Sequence, residues 1–242
     1  MPACPVCDGT AIVPIRTIDE WTVVRCSACG IAFADPLPPP QALDAYYEDF
    51  YEGASAGYFT KIDKKLKRAR ARVRALKRLV PGGRFLDVGC NGGFVVEAAR
   101  QAGFTAVGVD LDPVSIAWAR ERYGHSAFHA GRVEDLVGRE APFDLLYCSE
   151  VIEHVADPKG FASALAALAK PDAVLFVTTP DMGHWTVPRD LGSWHGFMVP
   201  EHVLYFTAPA LRGLMERAGF VYIKRRLAVK PGIKMLFRHR PT

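Results

Sequence analysis

Residues 85–93 read Phe85-Leu86-Asp87-Val88-Gly89-Cys90-Asn91-Gly92-Gly93. An apolar strand runs here into a turn of glycines and one asparagine, and a helical pattern follows near 92–102. Gly and Asn accept positive φ and let a ligand approach the backbone closely. The helix start beyond them offers free amides. The turn is thus a nucleotide-sized cradle. Further along, strands are expected at 84–88, 105–109, 126–129, 143–148 and 173–178. They alternate with helices near 92–102, 113–122, 158–169 and 208–218. Such alternation means an α/β fold, a parallel sheet covered on both faces. Two last strands, near 220–228 and 232–237, would close one edge.

The second strand, Ala106-Val107-Gly108-Val109, ends at Asp110. An acid at that place can hold the two hydroxyls of a ribose. A dinucleotide fingerprint wants G-x-G-x-x-G. Here Asn91 stands at the second glycine and Phe94 at the third, so the pyrophosphate spacing is wrong. Asp87, at the strand end, would repel a phosphate and welcome a cation. S-adenosylmethionine carries a sulfonium, an ammonium and a ribose, and it fits.

With these residues in view, 81–242 resembles the class I S-adenosylmethionine-dependent methyltransferases. The likeness covers the glycine motif, Asp110, and the run Phe143-Asp144-Leu145-Leu146-Tyr147-Cys148-Ser149-Glu150-Val151-Ile152-Glu153-His154-Val155. It extends through Thr179-Pro180-Asp181 and Ala218-Gly219-Phe220. The resemblance implies a Rossmann-like sheet of seven strands. It also implies that Gly89, Asn91, Gly93 and Asp110 contact the cofactor and that Glu134 lies near the adenine. Asp87, Leu111 and Ser149 complete the expected cofactor set. Asn91 departs from the usual Gly, but Asn also enters the left-handed region. The Glu150–Val155 run is similar to the ubiquinone-pathway O-methyltransferases. The N-terminal segment described next, followed by Asp35-Pro36 and a Tyr-rich stretch, looks like a bacterial group linked to cell-surface polysaccharide genes.

Four of six cysteines form two pairs, Cys4-x-x-Cys7 and Cys26-x-x-Cys29, with eighteen residues between. Tight pairs of this kind signal tetrahedral zinc in a reducing compartment. Residues 1–35 are therefore expected to form a small zinc ribbon with strands at 11–15, 21–25 and 31–33. Four thiolates leave the metal no open position, so the role is structural or docking. Residues 36–80 hold a proline-stiffened linker, an aromatic run (Tyr46, Tyr47, Phe50, Tyr51, Tyr58, Phe59) and an amphipathic basic helix. Within 61–78 stand ten Lys/Arg and one acid, a local +9, although the whole chain carries only +4. Apolar residues at 62, 66, 69, 73, 76 and 80 mark one buried face. The basic face is either simply solvated or a grip for phosphate, RNA or a membrane surface.

Glu150, Glu153, His154 and His202 are the candidate catalytic residues. On a helix, positions 150, 153 and 154 would share a face. Two carboxylates and an imidazole there bind a divalent cation such as Mg²⁺ or act as bases, and O-methylation is served by either. His202, in Pro200-Glu201-His202, would be a fourth ligand. A purely structural network is the third reading. The insert 181–206 carries His184, Trp185, Trp194, His195, Phe197 and Met198 and is expected to form a substrate lid.

The chain of 242 residues is 50% apolar and 23% charged, which excludes wholesale disorder. Its longest apolar runs, Phe161–Ala169 and Ala173–Val177, fall far short of the roughly 20 residues of a membrane span. Met1-Pro2-Ala3-Cys4 does not read as a secretory signal, so a cytoplasmic protein is expected. The expected function is methyl transfer to an oxygen of a saccharide or other small metabolite. RNA methylation is the alternative, and a non-catalytic ribbon protein the third.

Overall fold

The computed structural model describes residues 3–39, 43, 60–124 and 127–240. The aromatic run from Tyr46 to Phe59 lies outside the described residues. Three strands open the chain: β1 (Ile12–Ile18), β2 (Trp21–Cys26) and β3 (Ala32–Asp35). Helix α1 (Ile62–Lys77) follows and buries Leu66, Ala69, Val73 and Leu76, the stripe its spacing predicts.

From residue 84 strands and helices alternate: β4 (Arg84–Val88), α2 (Phe94–Gln101), β5 (Thr105–Asp110), α3 (Pro113–Tyr123) and β6 (Phe128–Ala130). Then come β7 (Phe143–Ser149), α4 (Pro158–Ala167), β8 (Ala169–Thr179), β9 (Leu204–Tyr205) and α5 (Ala208–Arg217). The hairpin β10 (Phe220–Arg225) and β11 (Ile233–His239) closes the chain. Helices α3 and α4 start where the sequence supplies side-chain caps. Asp112 accepts the Val114 N–H at 2.9 Å ahead of Pro113, and Asp157 accepts the Gly160 N–H at 3.0 Å ahead of Pro158.

Seven strands form one sheet in the order β10-β11-β8-β7-β4-β5-β6. β8, β7, β4, β5 and β6 pair in parallel, and β11 and β10 add antiparallel strands at one edge. This is the Rossmann-like sheet expected from the sequence. Central strands such as β7 are buried on both faces, hence their nearly unbroken apolar run Leu145-Leu146-Tyr147-Cys148. The C-terminal ends of β4, β5 and β7 meet at one side, where loops leave the sheet.

The ribbon sheet has four strands, not three. β9 pairs antiparallel with β3, matching Ala32 with Tyr205 and Phe33 with Leu204. Local patterning of residues 1–35 holds no sign of a partner supplied from the far end of the chain. Ribbon residues Val6, Val24, Ile31 and Phe33 share one core cluster with Leu211, Leu214 and Met215 of α5. Among the described residues no helix is long and apolar enough to cross a membrane.

Candidate active site

A cavity of about 530 Å³ opens at the C-terminal ends of β4, β5 and β7. That volume suits a ligand of cofactor size. Gly89 and Asn91 form its floor, both in the left-handed region (φ 72° and 44°). A Cβ at Gly89 would run into Val151 Cγ2, so the close approach requires glycine as well as the dihedral. Asn91 holds its own turn, its Oδ1 accepting the Gly92 N–H at 2.7 Å.

Asp110 ties that turn to β5. Its Oδ2 accepts the Asn91 N–H at 2.7 Å and its Oδ1 accepts the Asp112 N–H at 3.0 Å. Each oxygen keeps a second lone pair for a ligand hydroxyl. Burial pushes the Asp110 carboxyl above its ordinary range, while the amides of Asp112 and Asn91 pull it back. Asp87 is 2% exposed. Burial raises its carboxyl well above the usual range, Asp110 adds to this, and Arg72 opposes it. Two buried acids facing one cavity form a site that gains when a cation enters. Leu111, Glu134 and Ser149 also line the cavity, and burial raises the Glu134 carboxyl.

Gly93 is not on the cavity wall among the described residues. A Cβ there would sit 2.5 Å from Phe128 Cε1 and 3.2 Å from Ala119 Cβ. Its place is the packing of α2 against β6 and α3.

The far wall comes from α1, which sequence reading left as a solvated face or an outward grip. Lys65, Arg68 and Arg72 line the cavity, and Arg72 Nη1 donates to the Tyr147 hydroxyl at 3.0 Å. A signal was present. Positions 65, 68 and 72 recur at helical spacing beside the buried stripe 66, 69, 73, so they sit on its margin rather than opposite it.

After β7 the structure corrects the helical reading of 150–154. Glu150 has φ 56°, and only Ile152–His154 forms a single 3₁₀ turn. The Glu150 N–H bonds to the Thr178 carbonyl at 2.9 Å, prolonging the β7–β8 pairing by one residue, and its Oε1 accepts from the Thr178 hydroxyl at 2.6 Å. This arrangement commits Glu150 to Thr178 and leaves it out of the ligand cluster. The cluster that forms is Glu153, His154 and His202, whose ligand atoms lie within 4.8 Å of one another. His154 Nδ1 donates to the Glu201 carbonyl at 2.8 Å, and His202 Nδ1 donates to the Gly196 carbonyl at 2.9 Å. A carbonyl only accepts, so both Nδ1 atoms carry the proton. The rings meet edge to face at 4.8 Å. Glu153 is 1% exposed; one oxygen accepts from the Thr179 hydroxyl at 2.8 Å, whereas Oε1 has no hydrogen-bond partner. Burial, with Glu150 adding to it, pushes the Glu153 carboxyl up to about 8, and burial and His202 hold His154 down to about 4. Of this cluster His154 reaches the cavity wall, together with Glu150 and Glu201.

The expected lid does not cover the cavity. Glu201 is the cavity-lining residue contributed by 181–206. Trp194 and Phe197 instead pack with Val23 and Ala32 of the ribbon and with Met182 and Tyr205. Trp185 points to solvent, 84% exposed. Aromatic content alone does not tell a lid from a seam between two sheets.

In the ribbon, Cys4, Cys7, Cys26 and Cys29 bring their Sγ atoms together. Cys4–Cys29 and Cys7–Cys26 each stand 3.6 Å apart. A tetrahedron with Zn–S bonds of about 2.3 Å has S–S edges of about 3.8 Å, so the four thiols fit zinc. Backbone N–H groups of Val6 and Cys7 point at Cys4, and those of Ala28 and Cys29 at Cys26, as thiolate ligands require.

A family profile described as "Methyltransferase domain" matches residues 58–225. The Hahella chejuensis protein named ubiquinone biosynthesis O-methyltransferase is 31% identical over 162 residues, 59% of this chain and 68% of that protein. The protein of the same name from Xylella fastidiosa (strain 9a5c) is 39% identical over 115 residues, 45% of this chain. The chain spans about half the length of that relative, 47%. Among solved structures, a Burkholderia thailandensis 1,6-didemethyltoxoflavin-N1-methyltransferase with bound 1,6-didemethyltoxoflavin and S-adenosylhomocysteine is similar with a TM-score of 0.63. It is 21% identical, with 94% of this chain and 99% of that one covered. Magnesium protoporphyrin IX methyltransferase from Synechocystis PCC 6803, with bound S-adenosylhomocysteine, gives a TM-score of 0.58 at 16% identity, covering 81% and 99% of the two chains. At these identities the structures show a shared fold.

Proposed function

Since the chain belongs to the methyltransferase-domain family and is a class I S-adenosylmethionine-dependent methyltransferase, we propose that it methylates an oxygen of a small acceptor, a saccharide or another biosynthetic metabolite. The observation that carries this reading is the polarity of the cavity. Two buried acids, Asp87 and Asp110, and a neutral imidazole, His154, line the same cavity. The curated relatives named for O-methylation support the choice of oxygen.

In this reading Asp110 accepts the ribose hydroxyls and Glu134 lies beside the adenine. Asp87 faces the cationic methionine end, and Arg72 takes the methionine carboxylate. The acceptor enters beside His154 and Glu201. The acceptor oxygen forms a bond to the methyl carbon as the carbon–sulfur bond breaks, and the sulfonium leaves as a neutral thioether. Positioning the three atoms in line supplies much of the rate. His154 Nε2 accepts the hydroxyl proton. The weak basicity of His154 suffices because the oxygen becomes strongly acidic once its bond to carbon has begun to form.

The same cluster fits a divalent ion. Glu153 Oε1 is orphaned, and the His154 and His202 rings lie near it with their Nδ1 atoms pinned by backbone carbonyls, as metal-binding imidazoles usually are. Two imidazoles and one carboxylate suit a borderline transition ion better than Mg²⁺, which prefers oxygen ligands. When bound, such an ion would make the acceptor hydroxyl more acidic.

The test is acceptor discovery. Pure protein is incubated with methyl-labelled S-adenosylmethionine and a cell extract lacking the gene, then split into small-molecule, glycan and RNA fractions. Label in the first two supports the reading, and label in RNA overturns it. Full turnover in excess EDTA would remove the metal from the proposal. A dissociation constant for S-adenosylmethionine weaker than millimolar would leave a non-catalytic protein.

A further inference from the structure

A chain of backbone hydrogen bonds runs from β3 of the ribbon to the neighbours of the histidine pair. The Ala34 N–H in β3 bonds to the Val203 carbonyl at 2.9 Å, and the Val203 N–H bonds to the Glu153 carbonyl at 3.0 Å. That link continues the register in which β3 pairs with β9, Phe33 opposite Leu204 and Ala32 opposite Tyr205. The Tyr205 hydroxyl donates to the His202 carbonyl at 2.8 Å, and its ring stacks on Phe197 at 4.8 Å. Phe197 lies one residue beyond Gly196, whose carbonyl fixes His202 Nδ1. Glu201, next to His202, fixes His154 Nδ1. The groups that orient both imidazoles therefore hang on β9 or on the loop packed beneath β3.

The cofactor end meets the ribbon differently. Asp87 and Asp110 sit on β4 and β5, inside the seven-stranded sheet, and among the described residues that sheet shares no strand with the ribbon; the two meet through apolar side chains of one core, Val88 and Val109 among them. The ribbon is also fixed as a body. Arg217 Nη2 donates to the Val6 carbonyl at 2.8 Å, Lys159 pairs with Asp8, and Arg16 pairs with Asp190. A module whose apolar residues are already packed against α5 and the 181–206 loop has spent the face that a docking domain would offer.

We infer that the zinc ribbon is a positioning element of the acceptor end of the cavity. Strand β3, stiffened by metal at Cys4, Cys7, Cys26 and Cys29, holds residues 202–205 in place. Those residues in turn orient His154 and His202. Ala34 and Tyr205 are the positioning residues, and the cofactor end stands independently of them. The catalytic meaning rests on the proposed function, but the orientation itself does not.

The test uses the full chain, ¹⁵N-labelled, zinc-loaded and saturated with S-adenosylhomocysteine. Imidazole ¹⁵N spectra report whether His154 and His202 keep a fixed Nδ1–H tautomer, and hydrogen exchange reports on the Val203 amide. Ala34→Pro removes the N–H that holds Val203 and leaves all four cysteines. We expect it to retain the parent zinc content and to bind S-adenosylhomocysteine within about threefold of the parent. We expect the two imidazoles to shift toward averaged tautomers and Val203 exchange to accelerate at least tenfold. Cys29→Ser, which breaks the metal site, should produce the same pattern more strongly. Unchanged imidazole signals in both variants would overturn the inference. So would a parallel collapse of S-adenosylhomocysteine affinity, which would make the ribbon a support for the whole fold. If Ala34→Pro does not fold, Tyr205→Phe decides the matter, since it deletes the hydroxyl's contacts with the His202 carbonyl and the Met198 backbone and leaves the backbone pairing of β9 intact. None of these readouts needs methyl transfer, so a failure of the proposed reaction is seen separately.

Discussion

Replacing Asp110 by Asn changes one atom and keeps the shape, yet the geometry requires a large loss of cofactor binding. Both carboxylate oxygens already face backbone donors, Asn91 N–H at 2.7 Å and Asp112 N–H at 3.0 Å. An amide offers one oxygen and one NH₂, so one of those donors must meet another donor. The turn that carries Asn91 is then pushed away at one point. The ribose also loses its partner. Each charged hydrogen bond to a hydroxyl contributes about 1.5–3 kcal/mol and a neutral one about 1, so losing one and reducing the other to neutral weakens binding by about 2–4 kcal/mol. This corresponds to a dissociation constant raised by about 30-fold to 10³-fold. Titration calorimetry with S-adenosylhomocysteine and with 5′-methylthioadenosine measures it. Both ligands carry the ribose, so both should lose a similar factor. Asp110→Asn protein that keeps its near-UV circular dichroism and binds both ligands within threefold of the parent would refute the assignment.

Three other outcomes follow from the same geometry. The Asp87 carboxyl is raised in the unliganded chain, and a neighbouring sulfonium or ammonium would lower it, so cofactor uptake releases a proton. Affinity for S-adenosylmethionine should therefore rise with pH up to the unliganded Asp87 pKa, more steeply than for the sulfonium-free product, and parallel profiles for the two ligands over the whole pH range in which the chain stays folded would contradict this. Arg72→Gln should weaken S-adenosylhomocysteine binding about tenfold or more through the lost carboxylate contact, and unchanged calorimetry would move that carboxylate to another cation. Gly93→Ala should cost about 2–4 kcal/mol in urea unfolding, because a Cβ at φ 70° meets Phe128 and Ala119. Its folded fraction should bind S-adenosylhomocysteine normally, whereas a selective loss of binding at unchanged stability would return Gly93 to the cofactor set.

What the sequence revealed and what it hid divide along chain separation. The glycine turn, the acid ending β5, the cysteine pairs and the buried stripe of α1 are all local patterns, readable from spacing within a few turns or strands. Glu150, Glu153 and His154 satisfied helical spacing, but a left-handed Glu150 and its bond to Thr178 override that periodicity, and both depend on β8 lying alongside. The same is true of Trp194 and Phe197. Their hydrophobicity was visible, but their partners, Val23 and Ala32, lie far away in sequence. The cavity-facing cations of α1 fall between these cases, since their phase was written in the helix and their destination was not.

The pairing of β3 with β9 also bears on how the chain comes off the ribosome. Ala32 and Tyr205 are about 170 residues apart in sequence. At about 5–20 residues per second, roughly 9–35 s separate the emergence of one strand from that of its neighbour. All four cysteines leave the exit tunnel before that interval begins, so the metal cage is free to close while Ile31-Ala32-Phe33-Ala34 still presents an open, apolar strand edge. Such an edge is a template for pairing with another nascent chain. The exposure ends only when residues 203–205 arrive and occupy it.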